Sequence, residues 1–324
     1  MIQTLLSKIE GLKCRGLVKK VAETCFSVAH LFLRCVPFGE KCPVCGAVEV
    51  TLSRPVVGQL LKEQWQLDSE WLGYFNQREG QICISCGASV RVRQLARVLV
   101  QVVLDQKNKS CCSVRDGVAA GIFENLKLAE VNACGALHKF LKRIPCLAYS
   151  EFLPEDPSVK HQNLLSLTYP DDSFDLLLHS DTVEHVPDVD QAFAEIWRVL
   201  KPGGVCVFSI PWVRDGRETL MRARLRQKGE SAGAECENQE EEQIEYLLSP
   251  SYHGGSYQTT EQYLVFYEFG EGFLSHLERA GFQTTLTECR GNPAAVTFTA
   301  RKPLVPASLA VAMGTSNSGG SPGL

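Results

Sequence analysis

The sequence lacks a strong excess of charge, a long uninterrupted apolar run and a secretory signal. Its 33 lysines and arginines nearly balance 37 aspartates and glutamates, and the net charge of -4 gives no general attraction to nucleic acid or an anionic membrane. The most apolar stretch, residues 21–38, contains Glu23, His30 and Arg34 and is short for a membrane span. We therefore expect no transmembrane span and an intracellular, cytoplasmic protein whose 14 scattered cysteines stay reduced.

Residues 1–38 form an N-terminal segment in which apolar side chains recur at helical spacing among lysines. The pattern predicts a helix that packs against the rest of the protein. Two alternatives are an amphipathic helix lying on a membrane surface and a mitochondrial targeting segment. Glu10 and Glu23 count against the targeting segment, because transit peptides are poor in acidic residues.

Two C-x-x-C pairs, Cys42/Cys45 and Cys83/Cys86, follow within residues 39–113. Four thiolates suit tetrahedral zinc, and the glycine after each pair lets the backbone turn tightly around a metal. The pairs lie further apart than in most zinc ribbons, so the aromatic-rich segment between them must fold as well. We predict a zinc-ribbon-like module with one structural zinc ion. The alternative is four buried or redox-active thiols without metal.

The segment after Gly87 predicts a helix that buries Leu95, Val98, Leu99 and Val102. It also carries three arginines that could meet phosphates and make the module a nucleic-acid binder, namely Arg91, Arg93 and Arg97. No further basic run lies nearby, so nucleic-acid binding is only an alternative hypothesis.

The stretch from Leu167 to Trp212 predicts one strand–helix–strand unit. Phe174 to His179 is a continuous apolar run, as in a parallel strand that is covered on both faces. A helix starts after Pro187-Asp188, and the sequence Lys201-Pro202-Gly203-Gly204 ends it. Residues 205–210 form a second buried strand. Such a crossover belongs in a parallel sheet.

The sequences SFDLLLHSDTVEHV and AFAEIWRVLKPGGVCVFSIP in this stretch resemble class I S-adenosylmethionine (SAM)-dependent methyltransferases of the UbiE-like, type 11 kind. The resemblance implies an α/β, Rossmann-like, doubly wound and mostly parallel sheet. It places this domain at residues 114–302, with an antiparallel closing hairpin formed by residues 283–290 and 295–301. The zinc-ribbon-like module precedes it.

The resemblance also implies where SAM would bind. Residues 119–125 are the predicted first strand, with Glu124 at the acidic position and Gly135 as the one glycine of the following loop. Residues 146–150 are the predicted second strand, and Glu151 after it would hold the ribose hydroxyls. Asn163 would face the adenine amino group; its alternative role is that of a turn residue.

Ser180 and Asp181 follow the fourth strand, and the resemblance implies that they also contact SAM. His185, close behind them, is the candidate catalytic residue, because a neutral imidazole can orient a substrate or accept its proton. A histidine at this place can equally bond the backbone. Methyl transfer depends largely on positioning, so a dedicated base is not required.

Two segments of the sequence predict little fixed structure. Residues 214–246 begin basic and become acidic with few apolar residues, which predicts a mobile, solvated insertion. Residues 303–324 end in TSNSGGSPGL, a composition typical of a disordered tail.

We therefore predict an enzyme that transfers the methyl group of SAM to a small-molecule acceptor. The sequence identifies neither that acceptor nor the oligomeric state. The two alternatives are a catalytically silent methyltransferase fold that serves as a binding scaffold and a zinc-dependent nucleic-acid binder.

Overall fold

The computed structural model describes residues 33–35, 40–105, 110–226, 244–254 and 263–304. In chain order, the elements before residue 120 are β1 (Leu33–Cys35), β2 (Val50–Ser53), α1 (Gln59–Gln64), α2 (Ser69–Gly80), β3 (Gln81–Cys83), α3 (Val90–Leu104) and α4 (Val114–Ala119). The later elements are β4 (Leu128–Val131), α5 (His138–Leu141), β5 (Leu147–Glu151), β6 (Lys160–His161), β7 (Phe174–Ser180), α6 (Val189–Val199), β8 (Leu200–Ser209), β9 (Leu220–Met221), β10 (Ala223–Leu225), β11 (Ile244–Tyr246), β12 (Tyr252–His253), β13 (Tyr263–Leu264), β14 (Tyr267–Glu268), α7 (Phe273–Arg279), β15 (Gln283–Cys289) and β16 (Asn292–Arg301).

Seven of these strands form the central sheet, in the spatial order β15, β16, β8, β7, β4, β5, β6. The strands from β4 to β8 pair in parallel, whereas β16 pairs antiparallel with both β8 and β15. From β4 the chain proceeds outward through β5 and β6, and it then returns to β7 on the other side of β4. The predicted doubly wound sheet with an antiparallel closing hairpin is confirmed.

The predicted strand–helix–strand unit corresponds to β7, α6 and β8. The side chain of Asp188 caps α6 by accepting a hydrogen bond from the N–H of Gln191 at 2.9 Å. The apolar face of α6 is buried against one side of the sheet, with Phe193 and Ile196 fully buried. The chain passes from α6 directly into β8, and Gly203 within the first half of that strand has a φ of 80° that favours glycine.

The opposite side of the sheet is covered by α3, which comes from the N-terminal part of the chain. The predicted inward residues Leu95, Val98, Leu99 and Val102 are all buried. They belong to one hydrophobic cluster with side chains of β4, β7 and β8, and the four paired cysteines belong to it too. The N-terminal module thus shares its core with the sheet.

The segment between the cysteine pairs forms the expected small aromatic core. Trp65, Trp71 and Phe75 are buried, and the rings of Trp65 and Phe75 lie 5.9 Å apart in an edge-to-face arrangement. Val265 and Ala294, from the later part of the chain, complete this cluster. It therefore joins the module to the region around the closing hairpin.

The first strand of the sheet is not where the sequence pattern placed it. Ala119 is the last residue of α4, residues 120–125 form a turn, and the strand is Leu128–Val131. Asn125 has a φ of 68°, which is incompatible with an extended strand. The short run from Leu128 to Val131 is entirely buried, and a four-residue strand gives little periodicity to recognise.

Two other expectations, for the N-terminal segment and for the charged insertion, differ from the structure where residues are described. Residues 33–35, expected to be helical, form β1 and pair with β2; the rest of residues 1–38 lies outside the described residues. Residues 214–226 and 244–246, expected to be mobile, contain β9, β10 and β11, and Arg222 beside these strands is buried in an ion pair with Glu268. Residues 227–243 and the tail from 305 onward are outside the described residues.

Among the helices that the structure describes, none has the length and apolar character needed to cross a membrane.

Candidate active site at the carboxyl edge of the sheet

The order in which strands are added to the sheet reverses between the parallel strands β4 and β7, and the carboxyl ends of these strands border the candidate site. In open α/β sheets, ligands bind in the crevice outside the strand ends at such a switch point. The loop after β4, the end of β5 and the turn after β7 all meet there. Most of the site residues predicted from the sequence lie on these three segments.

The acidic residue near the carboxyl end of the first strand is Glu130, the penultimate residue of β4, and not Glu124. The fully buried carboxylate of Glu130 accepts a hydrogen bond from the N–H of Cys134 at 2.9 Å, and its second oxygen lies 2.7 Å from Nδ1 of His138. Glu124 is exposed in the turn six residues earlier, so the predicted acidic position at the strand end is wrong.

The loop after β4 has only one of the glycines that the family usually carries there, yet its backbone still turns tightly. Asn132 and Gly135 adopt φ values of 58° and 56°. Asparagine is the residue other than glycine that accepts this left-handed conformation most readily. The Asn132 side chain also accepts the N–H of Phe152 at 3.0 Å, which ties the loop to the end of β5.

Glu151 ends β5, as predicted, and its carboxylate faces the same loop. Its Oε1 atom accepts the N–H of Ala133 at 2.9 Å and the hydroxyl of Tyr149. A carboxylate offers about four acceptor positions, so Glu151 keeps capacity for hydroxyl groups of a ligand. The structure therefore places a partly exposed acceptor beside the first loop.

Asn163 lies in a turn beyond β6. Its side-chain oxygen accepts the N–H of Leu165 at 2.9 Å, and its backbone forms a bridge with Ser166. These contacts are those of a turn-forming asparagine. A contact with adenine stays a prediction.

Ser180, the last residue of β7, and Asp181 take part in a partly buried network with two arginines from the N-terminal module. Asp181 receives two hydrogen bonds from Arg78, both 2.7 Å long, and Arg91 lies 3.2 Å away. Ser209 donates to the same carboxylate at 2.9 Å. Burial alone would raise the pKa of Asp181, but Arg78 and Arg91 hold it well below its usual range.

The contacts of the arginines of α3 also test the hypothesis that this helix binds nucleic acid. Arg91 pairs with Glu79 and Asp181, and Arg93 pairs with Glu49 at 3.0 Å. Both arginines therefore make internal contacts and do not form a solvated phosphate-binding face. Two of the three arginines that suggested nucleic-acid binding are therefore engaged in contacts within the protein.

Glu184 and His185 lie in the 3-10 turn Val183–His185 that follows. The Nδ1 atom of His185 is 2.9 Å from the carbonyl oxygen of Leu264, and its ring centroid is 4.7 Å from that of His253. Burial lowers the pKa of His185 and lowers that of His253 to about 3, so both imidazoles are neutral. Burial raises the pKa of Glu184 well above its usual range.

The four predicted metal cysteines converge on one point. Sγ of Cys42 is 3.9 Å from that of Cys86, and Sγ of Cys45 is 4.0 Å from that of Cys83. A tetrahedral zinc site with Zn–S bonds of about 2.3 Å has S···S edges of about 3.8 Å, so the thiols fit zinc. The hydrogen bond between Cys42 and Cys86 lowers the pKa of Cys42 to about 5 and raises that of Cys86, because the Cys86 thiol donates to the Cys42 thiolate.

Sequence reasoning missed three residues of this edge. Glu130 and Asn132 were hidden because the strand before them is so short, although Glu-Val-Asn after an apolar Leu-Ala pair is a usable signal. Arg78 gave no sequence signal, because its partner Asp181 is 103 residues away.

Comparisons with known proteins agree with the fold. Residues 121–208 match a family model described as a methyltransferase domain. A Mycolicibacterium smegmatis protein described as a probable SAM-dependent methyltransferase is 36% identical over 25% of this chain and 36% of its own length. The ubiquinone/menaquinone biosynthesis C-methyltransferase UbiE of Hydrogenovibrio crunogenus is 52% identical over 13% of this chain and 16% of its own length.

The chain therefore spans only 36% of the length of the first relative and 16% of the length of the second. A solved SAM-dependent methyltransferase from Clostridium acetobutylicum matches 64% of this chain and 99% of its own, with 13% identity and a TM-score of 0.35. The methyltransferase resemblance first found in residues 167–212 is confirmed by the sequence matches.

Proposed function

On the premise that residues 121–208 form a methyltransferase domain, we propose that the protein transfers the methyl group of SAM to a small-molecule acceptor. One observation carries the proposal. The carboxylate of Glu151 and the left-handed loop after β4 are held together at the switch point of the sheet. Because the Hydrogenovibrio crunogenus relative is a ubiquinone/menaquinone biosynthesis C-methyltransferase, a quinone-like ring is one acceptor to test first.

The donor chemistry comes from SAM, whose sulfonium makes its methyl group electrophilic. The residues of this chain bind and orient it. Glu151 accepts hydrogen bonds from the ribose hydroxyls, and Asn163, whose carbonyl has a second lone pair, contacts the adenine amino group. The loop from Asn132 to Gly135 brings backbone close to the methionine part.

Ser180 and Asp181 have a different part in this proposal. Both are occupied by Arg78, Arg91 and Ser209, so their contribution to SAM is to fix the wall of the site. A direct hydrogen bond to SAM would compete with these ion pairs. Glu124 has no place in the proposed site because it does not reach the edge of the sheet.

His185 is the proposed general base for the acceptor. Its Nδ1–H donates to the Leu264 carbonyl, which leaves the lone pair of Nε2 available to take a proton. Exchange to Gln should slow turnover and leave SAM affinity nearly unchanged, because no cofactor contact is assigned to this residue.

We also propose that Cys42, Cys45, Cys83 and Cys86 bind one structural zinc ion. Four cysteine ligands leave no open coordination position, so the ion supports the fold and takes no part in methyl transfer. The metal would also fix the position of α4, since the N–H groups of Val114 and Arg115 donate to the carbonyls of Pro43 and Val44. Cys83→Ser should lose this ion and lower the melting temperature.

The test of methyl transfer starts with binding. At about 100 times its Kd, SAM should stabilise the fold by about 2.7 kcal/mol, which is visible as a higher melting temperature. Glu151→Gln should remove much of that shift, because hydrogen bonds to a charged acceptor contribute about 1.5–3 kcal/mol. Glu155→Gln, four residues further on at an exposed position, is the matched control.

Isotopically labelled SAM and a cellular extract then identify the acceptor. Transfer of label to a small molecule by wild type and the Glu155→Gln control, but not by Glu151→Gln, supports the proposal. Binding of SAM without any transfer would favour a silent scaffold. Absence of binding at millimolar SAM would contradict the proposed function.

A further inference from the structure

A second group of metal-ligating side chains lies next to the proposed methyl-transfer site, in a cluster of Glu184, His185 and His253. One ligand atom from each residue lies within 4.8 Å of the other two. Oε1 of Glu184 is 3.7 Å from Nε2 of His185. Two of the residues come from the turn after β7 and the third comes from β12, so the fold, not a local sequence motif, assembles the cluster.

The cluster holds buried polar atoms that need a partner. Glu184 is 0% exposed, and neither of its carboxylate oxygens has a hydrogen-bond partner among the described residues. The same is true of Nε2 of His253. Native proteins satisfy most buried polar side chains, and an exception of this kind points to an unseen water or ion.

The histidine rings are held so that their lone pairs can face a common point. His185 donates through Nδ1 to the carbonyl of Leu264, so its Nε2 carries the lone pair. Metal-binding histidines characteristically donate their other N–H to a carbonyl or carboxylate in this way. The ring of His253 is fixed between those of Trp65 and His185, at centroid distances of 5.4 and 4.7 Å.

The surrounding backbone fixes the third ligand relative to the first two. The strand β12 pairs with β13, which places His253 opposite Tyr263 and Tyr252 opposite Leu264. The carbonyl of Leu264 is the group that orients His185, and the N–H of Phe266 donates to the carbonyl of Glu184 at 2.8 Å. One short segment therefore contacts all three members of the cluster.

We propose that Glu184, His185 and His253 bind one divalent transition-metal ion. Two imidazoles and one carboxylate form a ligand set of catalytic zinc sites, and the same set suits ferrous iron. A tetrahedral site with bonds of about 2.0–2.1 Å has edges of about 3.4 Å, so the side chains move inward by roughly an ångström on binding.

Three protein ligands leave a coordination position for water or an oxygen atom of a ligand. If the methyl acceptor coordinates there through a hydroxyl, the ion favours its deprotonated form and takes the place of His185 as the general base, because Nε2 of His185 is then a metal ligand and cannot accept a proton. This consequence rests on the proposed function. Metal binding itself does not, because it requires neither SAM nor an acceptor.

The test is the zinc stoichiometry of the full-length protein, measured by competition with a chromophoric chelator in the absence of SAM. Wild type should bind two ions, one at the cysteines and one at the cluster. Glu184→Gln and His253→Gln should each bind one, because each removes a ligand. His276→Gln, which changes a histidine outside the cluster, should still bind two.

Cobalt substitution distinguishes the two sites by their ligands. The cysteine site gives intense thiolate charge-transfer bands, whereas the cluster gives only weak ligand-field bands. Cys83→Ser should lose the first and retain the second. The Cys83→Ser arm also keeps the test decisive if the Glu184 variant fails to fold.

Several results would overturn this proposal. These are a single zinc ion in wild type that Cys83→Ser removes, a wild-type cobalt spectrum with thiolate bands alone, or two ions in both Glu184→Gln and His253→Gln. In those cases Glu184 is simply a buried, protonated acid. Failure of SAM binding with two ions still bound would reject the proposed function and leave the metal site standing.

Discussion

Two carboxylates, the partly buried Asp181 and the fully buried Glu184, stand three residues apart after β7, and their surroundings differ. Asp181 accepts hydrogen bonds from Arg78 and Ser209 and lies beside Arg91. Glu184 is even more deeply buried, and its carboxylate has no hydrogen-bond partner in the part of the chain that the structure describes. The first arrangement stabilises the junction between the N-terminal module and the sheet. The second leaves the Glu184 carboxylate available for the metal ion proposed above.

The largest expected change in the free energy of unfolding follows from replacing Arg78, the partner of Asp181. Arg78→Met leaves that carboxylate buried with one arginine and also leaves the carbonyls of Ile210 and Ala294 without their donor. Breaking a buried pair by removing one partner typically costs about 3–5 kcal/mol. Denaturant unfolding should show a loss of that size. The exposed pair between Arg279 and Asp190 provides the control, and Arg279→Met should cost less than about 1 kcal/mol.

A second prediction uses pH to isolate Asp181. Its folded-state pKa is depressed, so its contribution to stability is present above the unfolded value of about 3.9 and is lost as pH falls through the lower folded value. Between pH 5 and pH 2, wild type should lose more stability than Asp181→Asn. Asparagine tolerates the φ of 47° at this position, which makes the variant a conservative one. Parallel stability–pH curves for the two proteins would contradict the ion-pair account.

The smallest effect is expected at Glu184 in metal-free protein. Glu184→Gln replaces one side chain that lacks a partner with another of the same shape, so the free energy of unfolding should change by only about 0.5 kcal/mol. Thermal melts of chelator-treated wild type and variant at pH 6 measure it. A loss as large as that of Arg78→Met would show that Glu184 has a structural partner and would remove the contrast with Asp181.

The sequence predicted the parts of this protein whose signals are local. The β7–α6–β8 unit, the α3 helix, the closing hairpin and the convergence of the four cysteines all follow from patterns within short stretches. Glu130 was missed because four buried residues give too little periodicity to locate a strand. The pairing of Arg78 with Asp181 and the proximity of His253 to Glu184 depend on how distant segments fold together. No local pattern encodes such contacts.

The same distinction explains the error in the insertion. Residues 214–226 were expected to be mobile from their charge, yet Arg222 is 4% exposed and donates to Glu268 and to the carbonyls of Ser249 and Gln64. A buried arginine with all these partners is indistinguishable in sequence from a solvated one. Composition alone therefore overestimates mobility where long-range ion pairs form.

Hydrogen–deuterium exchange of the zinc-replete protein, with and without S-adenosylhomocysteine, tests the central claim most directly. If the cofactor binds at the switch point, peptides covering residues 128–137 and 147–153 should exchange more slowly with ligand, because the loop after β4 and the end of β5 become protected. Peptides of the cysteine module should be unchanged. Equal exchange in both states at millimolar ligand, or protection confined to regions away from β4 and β5, would contradict a SAM site at this edge of the sheet.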